Sequence, residues 1–510
     1  MNQNLFAILR DCFPADRSRP AIVQPGGAEI SYGELEAAAG RYAAVLRRLG
    51  CKPGDRVAVQ VDKSVEAVFL YLGCAQAGCV YLPLNVAYTA DEVAYFLGDA
   101  GPALFVCRPE AEAKLKPVAE GAGVAHLMTL DAGGDGTLAE AARAASPDGA
   151  VHEAADDDLA AILYTSGTTG RSKGAMLTHG NLSSNALTLR DLWGFREGDA
   201  LLHALPIFHV HGLFVALNTS LANGSKIFFL PKFDADEILR LMPQATVMMG
   251  VPTFYVRLLQ HPGFTKEAAA GMRLFISGSA PLLEETFHEF EQRIGLRILE
   301  RYGMTEVGMA CSNPYEEKPG RERRAGTVGF PLPGVEVRIA DSEGRLLGTD
   351  EIGVLEMRGP NVFKGYWQMP EKTKEEFRPD GFFISGDLSK IDADGYVHIV
   401  GRAKDLVISG GFNVYPKEIE LVVDEIPGVG ESAIIGLPHP DFGEAVAAVC
   451  TRTGGQAVEE AEIIAVCKQK LANFKVPKRV FFVETLPRNT MGKVQKAELR
   501  KAFAETFKGA

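Results

Sequence analysis

The sequence predicts an α/β fold: a large N-terminal domain of layered α/β subdomains plus a β-barrel-like subdomain, then a small α+β C-terminal domain. Three observations lead there. Up to about residue 330, apolar runs of strand length alternate with longer helical stretches, the order that builds largely parallel sheets covered by helices. After about Val335 the runs turn short and alternating, as in antiparallel, barrel-like sheet. Past Gly401-Arg402 a further set of strands and helices begins, and its roughly 105 residues suffice for a small domain.

Taken in order, Asp55-Arg-Val-Ala-Val-Gln-Val61 reads as a strand. Ser64 is placed to cap a helix reaching about Ala77, since its hydroxyl can accept from the first free backbone N–H groups. Ala103-Leu-Phe-Val-Cys107, Lys226-Ile-Phe-Phe-Leu230, Thr246-Val-Met-Met249 and Leu274-Phe-Ile276 are further strand-length apolar runs. Residues 132–158, rich in Ala, Gly and Asp, read as a surface connection. Val335-Glu-Val-Arg-Ile339, Gly353-Val-Leu-Glu-Met-Arg358 and Tyr396-Val-His-Ile-Val400 carry the barrel-like pattern. In the C-terminal part, strands are expected near 433–436, 445–449 and 480–483, and helices around 416–424, 458–472 and 496–506.

At 510 residues the chain exceeds one ordinary core, so two or more domains are expected. Its 46% hydrophobic and 23% charged residues are those of a soluble globular chain, and no apolar run approaches the length of about 18 residues that a membrane span needs. The start, Met1-Asn-Gln-Asn-Leu-Phe-Ala-Ile-Leu-Arg10, lacks the basic-then-apolar plan of a secretory leader. A net charge of −12 argues against general nucleic-acid or membrane-surface binding, while leaving room for a locally positive anion site. The eight cysteines form no C-x-x-C pair and no His/Cys cluster, so neither a disulfide scaffold nor a zinc site is expected; a reducing cytoplasm fits them best.

The stretch that organises the chain runs from Tyr164 to Met176, Tyr-Thr-Ser-Gly-Thr-Thr-Gly-Arg-Ser-Lys-Gly-Ala-Met, directly after the apolar Leu159-Ala-Ala-Ile-Leu163. Its glycines let the backbone come close to a bulky ligand, and its hydroxyls, free N–H groups and single lysine suit a phosphate chain. It is not a Walker A loop, because Lys173 is followed by Gly174 rather than Ser or Thr. The bland alternative is a flexible Gly/Ser/Thr linker, which rarely places a lone lysine among glycines after a buried strand.

Further segments carry chemistry-bearing residues: Leu205-Pro-Ile-Phe-His-Val-His-Gly212, Ser277-Gly-Ser-Ala-Pro-Leu282, Arg301-Tyr-Gly-Met-Thr-Glu306, Phe382-Phe-Ile-Ser-Gly-Asp-Leu388, Gly401-Arg-Ala-Lys-Asp405 and Leu486-Pro-Arg-Asn-Thr-Met-Gly-Lys-Val-Gln-Lys496. Read bare, the histidines are either core residues or two ligands of a partial metal site with no third in sight. The other segments are turns, and Lys493 is a solvated lysine. In series with the Gly/Ser/Thr loop, these segments resemble the adenylate-forming enzymes: acyl-CoA synthetases, peptide-synthetase adenylation domains and luciferases. The resemblance runs from about residue 5 to 505 with every motif in family order.

What the resemblance implies is specific. Thr165, Ser166, Gly167, Thr168, Thr169, Gly170 and Lys173 bind the phosphates of ATP. Ser279, Ala280 and Pro281, with Tyr302, Gly303 and Met304, face the adenine; Thr305 contacts phosphate and Glu306 holds Mg²⁺. Asp387 and Arg402 take the ribose, and Lys404 marks the hinge. His209 lies beside the carboxylate being activated, and His211 lines the acyl pocket. Lys493 reaches the carboxylate and the α-phosphate, where a cation offsets charge in the transition state. Ser409, Gly410 and Gly411 face the pantetheine arm of CoA. The domains implied are an AMP- and acyl-binding domain over 1–401, a hinge over 402–405 and a mobile lid over 406–510. An acetyltransferase and deacetylase acting on Lys493 are a further implied pair of partners, since acetylation removes the charge.

No Gly-Gly-x-Ser carrier-attachment motif follows position 496, so free CoA is the expected thiol. Arg301 stands where many relatives have glycine against the acyl pocket. A guanidinium there needs an anionic partner, and a second carboxylate on the acid supplies one, bound bidentately with His211 and Ser279 completing the site. Within the family these segments look like malonyl-CoA synthetases, which implies malonate as the acid and methylmalonate as a side substrate. Alternatives remain: Arg301 pairs with Glu300 or Glu306 and merely plugs the pocket, the acid is a short-chain or aryl monocarboxylate, or the protein binds nucleotide without catalysis.

Overall fold

The computed structural model describes residues 2–165, 172–409, 412–453, 458–489 and 493–507. The chain forms two compact units, Met1–Glu336 with Met357–Phe383, and Val337–Glu356 with Ile384–Ala510.

Two sheets organise the first unit. The larger has nine strands. Its central run, Leu299–Met304, Leu274–Ser277, Val247–Gly250, Ala200–His203, Lys226–Phe229 and Pro20–Val23, is parallel; Gly308–Ser312 and Phe330–Pro331 close one edge antiparallel and Glu29–Ser31 the other. Val247–Gly250 and Leu274–Ser277 are buried along their whole length, which is why they read as unbroken apolar runs rather than alternating ones. Tyr255, Phe275 and Phe290 pack beside this sheet edge to face, with ring centroids 5.0–6.3 Å apart.

The second sheet has seven strands, in the order Gly365–Tyr366, Lys173–Thr178, Leu159–Thr165, Val80–Pro83, Arg56–Gln60, Leu104–Cys107 and His126–Thr129. The helix expected after Ser64 spans Val65–Ala77, with the Ser64 hydroxyl accepting from the Ala67 N–H and Gly78 ending it at φ 78°. It lies against Tyr32–Arg48 closely enough that a Cβ on Gly73 would come within 2.7 Å of Tyr42 Cβ. The 132–158 connection holds a short helix, Thr137–Arg143, whose Thr-Leu-Ala-Glu-Ala-Ala-Arg sequence is rich in strong helix formers.

The three strands expected of the barrel-like part and a fourth that was not, Phe383–Ile391, form one sheet in the order Glu336–Ala340, Gly353–Arg358, Phe383–Ile391 and Val397–Arg402. A second sheet orders Phe412–Val414, Val407–Ser409, Gly443–Arg452 and Val429–His439, with Arg479–Phe482 added parallel to Gly443–Arg452. Helices Pro416–Asp424, Glu460–Lys470 and Lys496–Ala502 accompany it, and Val407, Ile434, Val446, Ile463 and Val480 share its core. Among the described residues no helix is long and apolar enough to cross a membrane.

One buried histidine of the first unit ties stability to pH. His179 opens the helix His179–Leu192, and its Nδ1 accepts the Leu5 N–H at 3.0 Å. Burial, the largest influence, pushes its pKa down to about 4. Below an unfolded value near 6.5 the unfolded chain takes up a proton that the folded chain refuses, so this contribution is complete above about pH 6.5 and is lost as pH falls toward 4. The expected loss from this residue is roughly 3 kcal/mol, measurable as falling denaturant midpoints between pH 7 and pH 4. His179→Asn, which keeps an acceptor for Leu5 but does not titrate, is expected to flatten that slope; an unchanged slope would remove His179 as its source.

Candidate active site

The Gly/Ser/Thr loop joins two antiparallel strands whose last registered pair is Thr165 with Lys173. Ser166, Gly167, Thr168, Thr169 and Gly170 lie outside the described residues; the two residues at the base of the loop are described. The Lys173 ammonium donates to Glu376 Oε1 at 2.8 Å and lies 4.0 Å from the centre of the Tyr366 ring. The Tyr366 hydroxyl sits 2.7 Å from Glu376 Oε2 and 3.1 Å from Glu306 Oε1, and Thr165 Oγ1 is 3.4 Å from the same Glu306 oxygen. Burial raises the pKa of Glu306. Burial also works on Glu376, but hydrogen bonds from Lys173 and Tyr366 prevail and hold its carboxyl below the usual range. The structure thus gathers Thr165, Lys173 and Glu306 around one tyrosine.

Tyr302, Gly303, Met304 and Thr305, on and just past the strand Leu299–Met304, are half-buried, and Ala280 and Pro281 are exposed. Arg301 precedes them and is 2% exposed. Its guanidinium lies against the backbone of Gly278, where a Cβ would come within 2.4 Å of Cζ. Among the described residues neither Nε nor Nη2 has a hydrogen-bond partner. Burial pulls its pKa down to about 9, against raising influences from Tyr255 and Glu300, so it remains a cation at neutral pH. Neither nearby acid forms an ion pair with it among the described residues: Glu300, whose charge acts on it through space, has Oε1 accepting the Leu282 N–H at 3.0 Å, and Glu306 faces Tyr366.

His211 begins a π-helical turn, His211–Leu217, and is fully buried. Its Nδ1 is 3.1 Å from Ser279 Oγ, and its Nε2 has no hydrogen-bond partner among the described residues. Burial, then the charge of Arg301, push its pKa well below the usual histidine range, so the ring is neutral. Ser277 contributes another unpartnered buried hydroxyl. Arg301, His211 and Ser279 therefore meet at the carboxyl end of parallel strands, the place where open α/β sheets hold ligands. His209 is half-buried, and its Nδ1 accepts the His211 N–H at 3.3 Å. Among the described residues no group of three or more His, Cys, Asp or Glu could hold a metal ion.

In the second unit Asp387 and Arg402 sit opposite each other on paired strands, with Arg402 Nε 2.6 Å from Asp387 Oδ1. Lys404 is exposed in the turn Ala403–Asp405, and Ser409 is buried at the end of its strand. Gly410 and Gly411 lie outside the described residues. Lys493 is exposed, its N–H donating to Asn489 Oδ1 at 2.9 Å while its carbonyl accepts the Asn489 N–H at 2.9 Å.

Reasoning from sequence missed Glu376, Tyr366, Ser277 and Gly278. Gly278 and Ser277 stood inside a segment already singled out. Glu376 gave no signal, being one of two adjacent acids in the charged stretch Lys-Thr-Lys-Glu-Glu-Phe377.

Two family models match the chain: "AMP-binding enzyme" over residues 12–367 and "AMP-binding enzyme C-terminal domain" over 418–493. The crystal structure of ATP-bound MatB from Rhodopseudomonas palustris superposes with a TM-score of 0.96 at 56% identity, covering 99% of this chain and 100% of that one. A malonate–CoA ligase of Arabidopsis thaliana is 35% identical, covering 94% of this chain and 86% of its own. A feruloyl-CoA synthase of an Amycolatopsis species is also 35% identical, over 96% and 98%. The chain belongs to the AMP-binding enzyme family, and it is an acid–thiol ligase of the acyl-CoA synthetase kind.

Proposed function

We propose that the acid is malonate, joined to CoA through a malonyl-adenylate with release of pyrophosphate and then AMP. The observation that carries this is the buried Arg301 guanidinium, two of whose nitrogens, Nε and Nη2, have no hydrogen-bond partner among the described residues. Relatives at equal identity are named for malonate and for ferulate, so overall likeness does not choose between acids. A dicarboxylate offers one carboxylate for activation and a second for Arg301, with the neutral His211 Nε2 and the Ser279 hydroxyl available beside it.

In the first half-reaction a carboxylate oxygen attacks the α-phosphorus of ATP, and the bond to pyrophosphate breaks. Lys173 and residues 165–170 hold the phosphates, with Thr305 beside them. Ser279, Ala280, Pro281, Tyr302, Gly303 and Met304 receive the adenine, and Asp387 and Arg402 the ribose. To bind phosphate, Lys173 exchanges Glu376 for a phosphate oxygen. Glu306, a buried carboxylate contacted by hydroxyls rather than by a cation, suits a Mg²⁺ ligand; the ion, when bound, neutralises phosphate charge. His209 orients the attacking carboxylate and Lys493 offsets charge on the phosphorus. In the second half-reaction the CoA thiol, reaching Ser409, Gly410 and Gly411, attacks the acyl carbon. AMP departs and the thiol proton is released. The domains proposed are 1–401 and 406–510, turning about 402–405 at Lys404. Acetylation of Lys493 by a partner enzyme would remove the same charge.

Initial rates of pyrophosphate release with MgATP and CoA are expected to favour malonate over methylmalonate, and both over succinate, acetate, benzoate and octanoate. Preference for a monoacid would overturn the malonate reading and keep the ligase. Arg301→Met is expected to lower kcat/KM for malonate by at least about 100-fold, since stranding a buried carboxylate without its cation costs roughly 3–5 kcal/mol. Equal losses on every acid would defeat the assignment. In calorimetry without substrate, the same variant is expected to melt higher than the wild type, by about 1–4 kcal/mol in stability, because an unpaired buried charge is removed. Lys493→Ala is expected to slow adenylate formation on the order of 10²–10³-fold while thioester formation from supplied malonyl-adenylate stays near wild type. A parallel fall in both half-reactions would refute the separate use of that lysine.

A further inference from the structure

The segment from His203 to Gly212 carries both site histidines, and its two ends are tied to each other by a side chain. His203 is the last residue of the strand Ala200–His203 and is fully buried. Its Nε2 lies 2.9 Å from the carbonyl oxygen of Gly212, the second residue of the π-helical turn. A carbonyl only accepts, so Nε2 carries the proton and Nδ1 presents a lone pair. That lone pair faces Lys63 Nζ at 2.9 Å, and the same amine donates to the His203 carbonyl at 2.8 Å. The amine rests 4.3 Å from the centre of the Phe229 ring, with no carboxylate bonded to it among the described residues. Desolvation pulls the Lys63 pKa well below the usual lysine range.

Both ends of the loop are fixed in direction as well as place. Gly212 is pressed against the preceding turn, where a Cβ would fall 2.0 Å from the Pro206 carbonyl oxygen. The π-helical turn beginning at His211 winds more loosely than an α-helix, and turns of this kind are uncommon without a local cause. An imidazole N–H given to the Gly212 carbonyl supplies one. Without the Lys63 donor the His203 ring is free to move its proton to Nδ1. A lone pair then opposes the carbonyl, and the tie is lost.

We propose that Lys63 and His203 are positioning residues for the acid site, a relay from Lys63 N–H to His203 to the Gly212 carbonyl that holds the π-helical turn so that His211 stays on Ser279. The inference rests on reading Arg301, His211 and Ser279 as the acid site. It assigns no role in phosphate binding, which uses residues around Lys173. The relay therefore acts on the KM of the acid and not on that of ATP.

The test is steady-state kinetics on full-length Lys63→Met, His203→Gln and His203→Asn, each with melting temperature recorded. The acid is whichever one the wild type prefers, so a wrong choice of malonate shows in the wild type and not in these variants. Lys63→Met is expected to raise the acid KM about 10-fold with the ATP KM within twofold. His203→Gln, whose amide N–H reaches the place of Nε2, is expected to retain a near-normal acid KM; His203→Asn, which mimics Nδ1 only, is expected to behave like Lys63→Met. An unchanged acid KM in Lys63→Met overturns the proposal. So do equal rises for acid and ATP, which mark general damage, and so does equal behaviour of the Gln and Asn variants, which remains decisive if Lys63→Met fails to fold.

Discussion

A buried cation with no ion-paired carboxylate among the described residues is the constraint on which the proposed acid site turns. The Arg301 guanidinium lies against the Gly278 backbone with a neutral imidazole near it and the charge of Glu300 acting on it, and its Nε and Nη2 have no hydrogen-bond partner among the described residues. Folding toward such a state is costly, and evolution tolerates that cost where a ligand offsets it. Every neighbour has the character such a site needs. Gly278 leaves room for the guanidinium, His211 stays uncharged so as not to repel it, and Glu300 spends one oxygen on the Leu282 N–H. A bound carboxylate then gains the full strength of a charge-assisted pair in low dielectric.

The nucleotide side follows the opposite plan. Lys173 is a buried cation too, but Glu376 neutralises it and Tyr366 lies beneath it. ATP is abundant in charge and brings its own counterions, so a loop that binds it gains from a lysine already held in place. The proposed exchange of Glu376 for phosphate swaps one anion for another and leaves no buried charge stranded. Arg301, by contrast, has no ion-paired carboxylate among the described residues to exchange, and Glu300 acts on it only through space. The two halves of the site therefore differ in what an empty state costs: little around Lys173, much around Arg301.

Much of this was legible in sequence because it is local. Unbroken apolar runs gave the buried strands, Ser64 gave the helix cap, and the oddity of an arginine beside Tyr-Gly-Met-Thr-Glu pointed to the buried guanidinium on which the proposed acid site rests. What was not legible depends on residues distant in the chain. Lys173 and Glu376 are 203 positions apart and Lys63 and His203 are 140 apart, and no periodicity encodes such meetings. The π-helical turn at His211 was equally hidden, since its apolar sequence suits any buried helix and its winding depends on a bond from outside the turn. The compact second unit also takes in Val337–Glu356, because sheet pairing rather than chain order decides which strands pack together.

Ser279 shows how closely local strain and chemistry are coupled here. Its φ of 71° lies in the left-handed region that favours glycine, and a non-glycine residue there costs of order 1 kcal/mol or more. Its neighbour Gly278 needs the missing side chain for a different reason, volume, since the guanidinium occupies the space a Cβ would take. A second glycine at 279 would relieve the strain and lose only a hydroxyl. That hydroxyl is the partner of His211 Nδ1, and with it the ring is fixed while Nε2 stays open. Strain is thus kept at the residue whose hydroxyl sets a histidine, and space is kept at the residue beside it, which seats an arginine. Two adjacent positions, one strained and one bare, bring a neutral imidazole and a cation toward the same small volume.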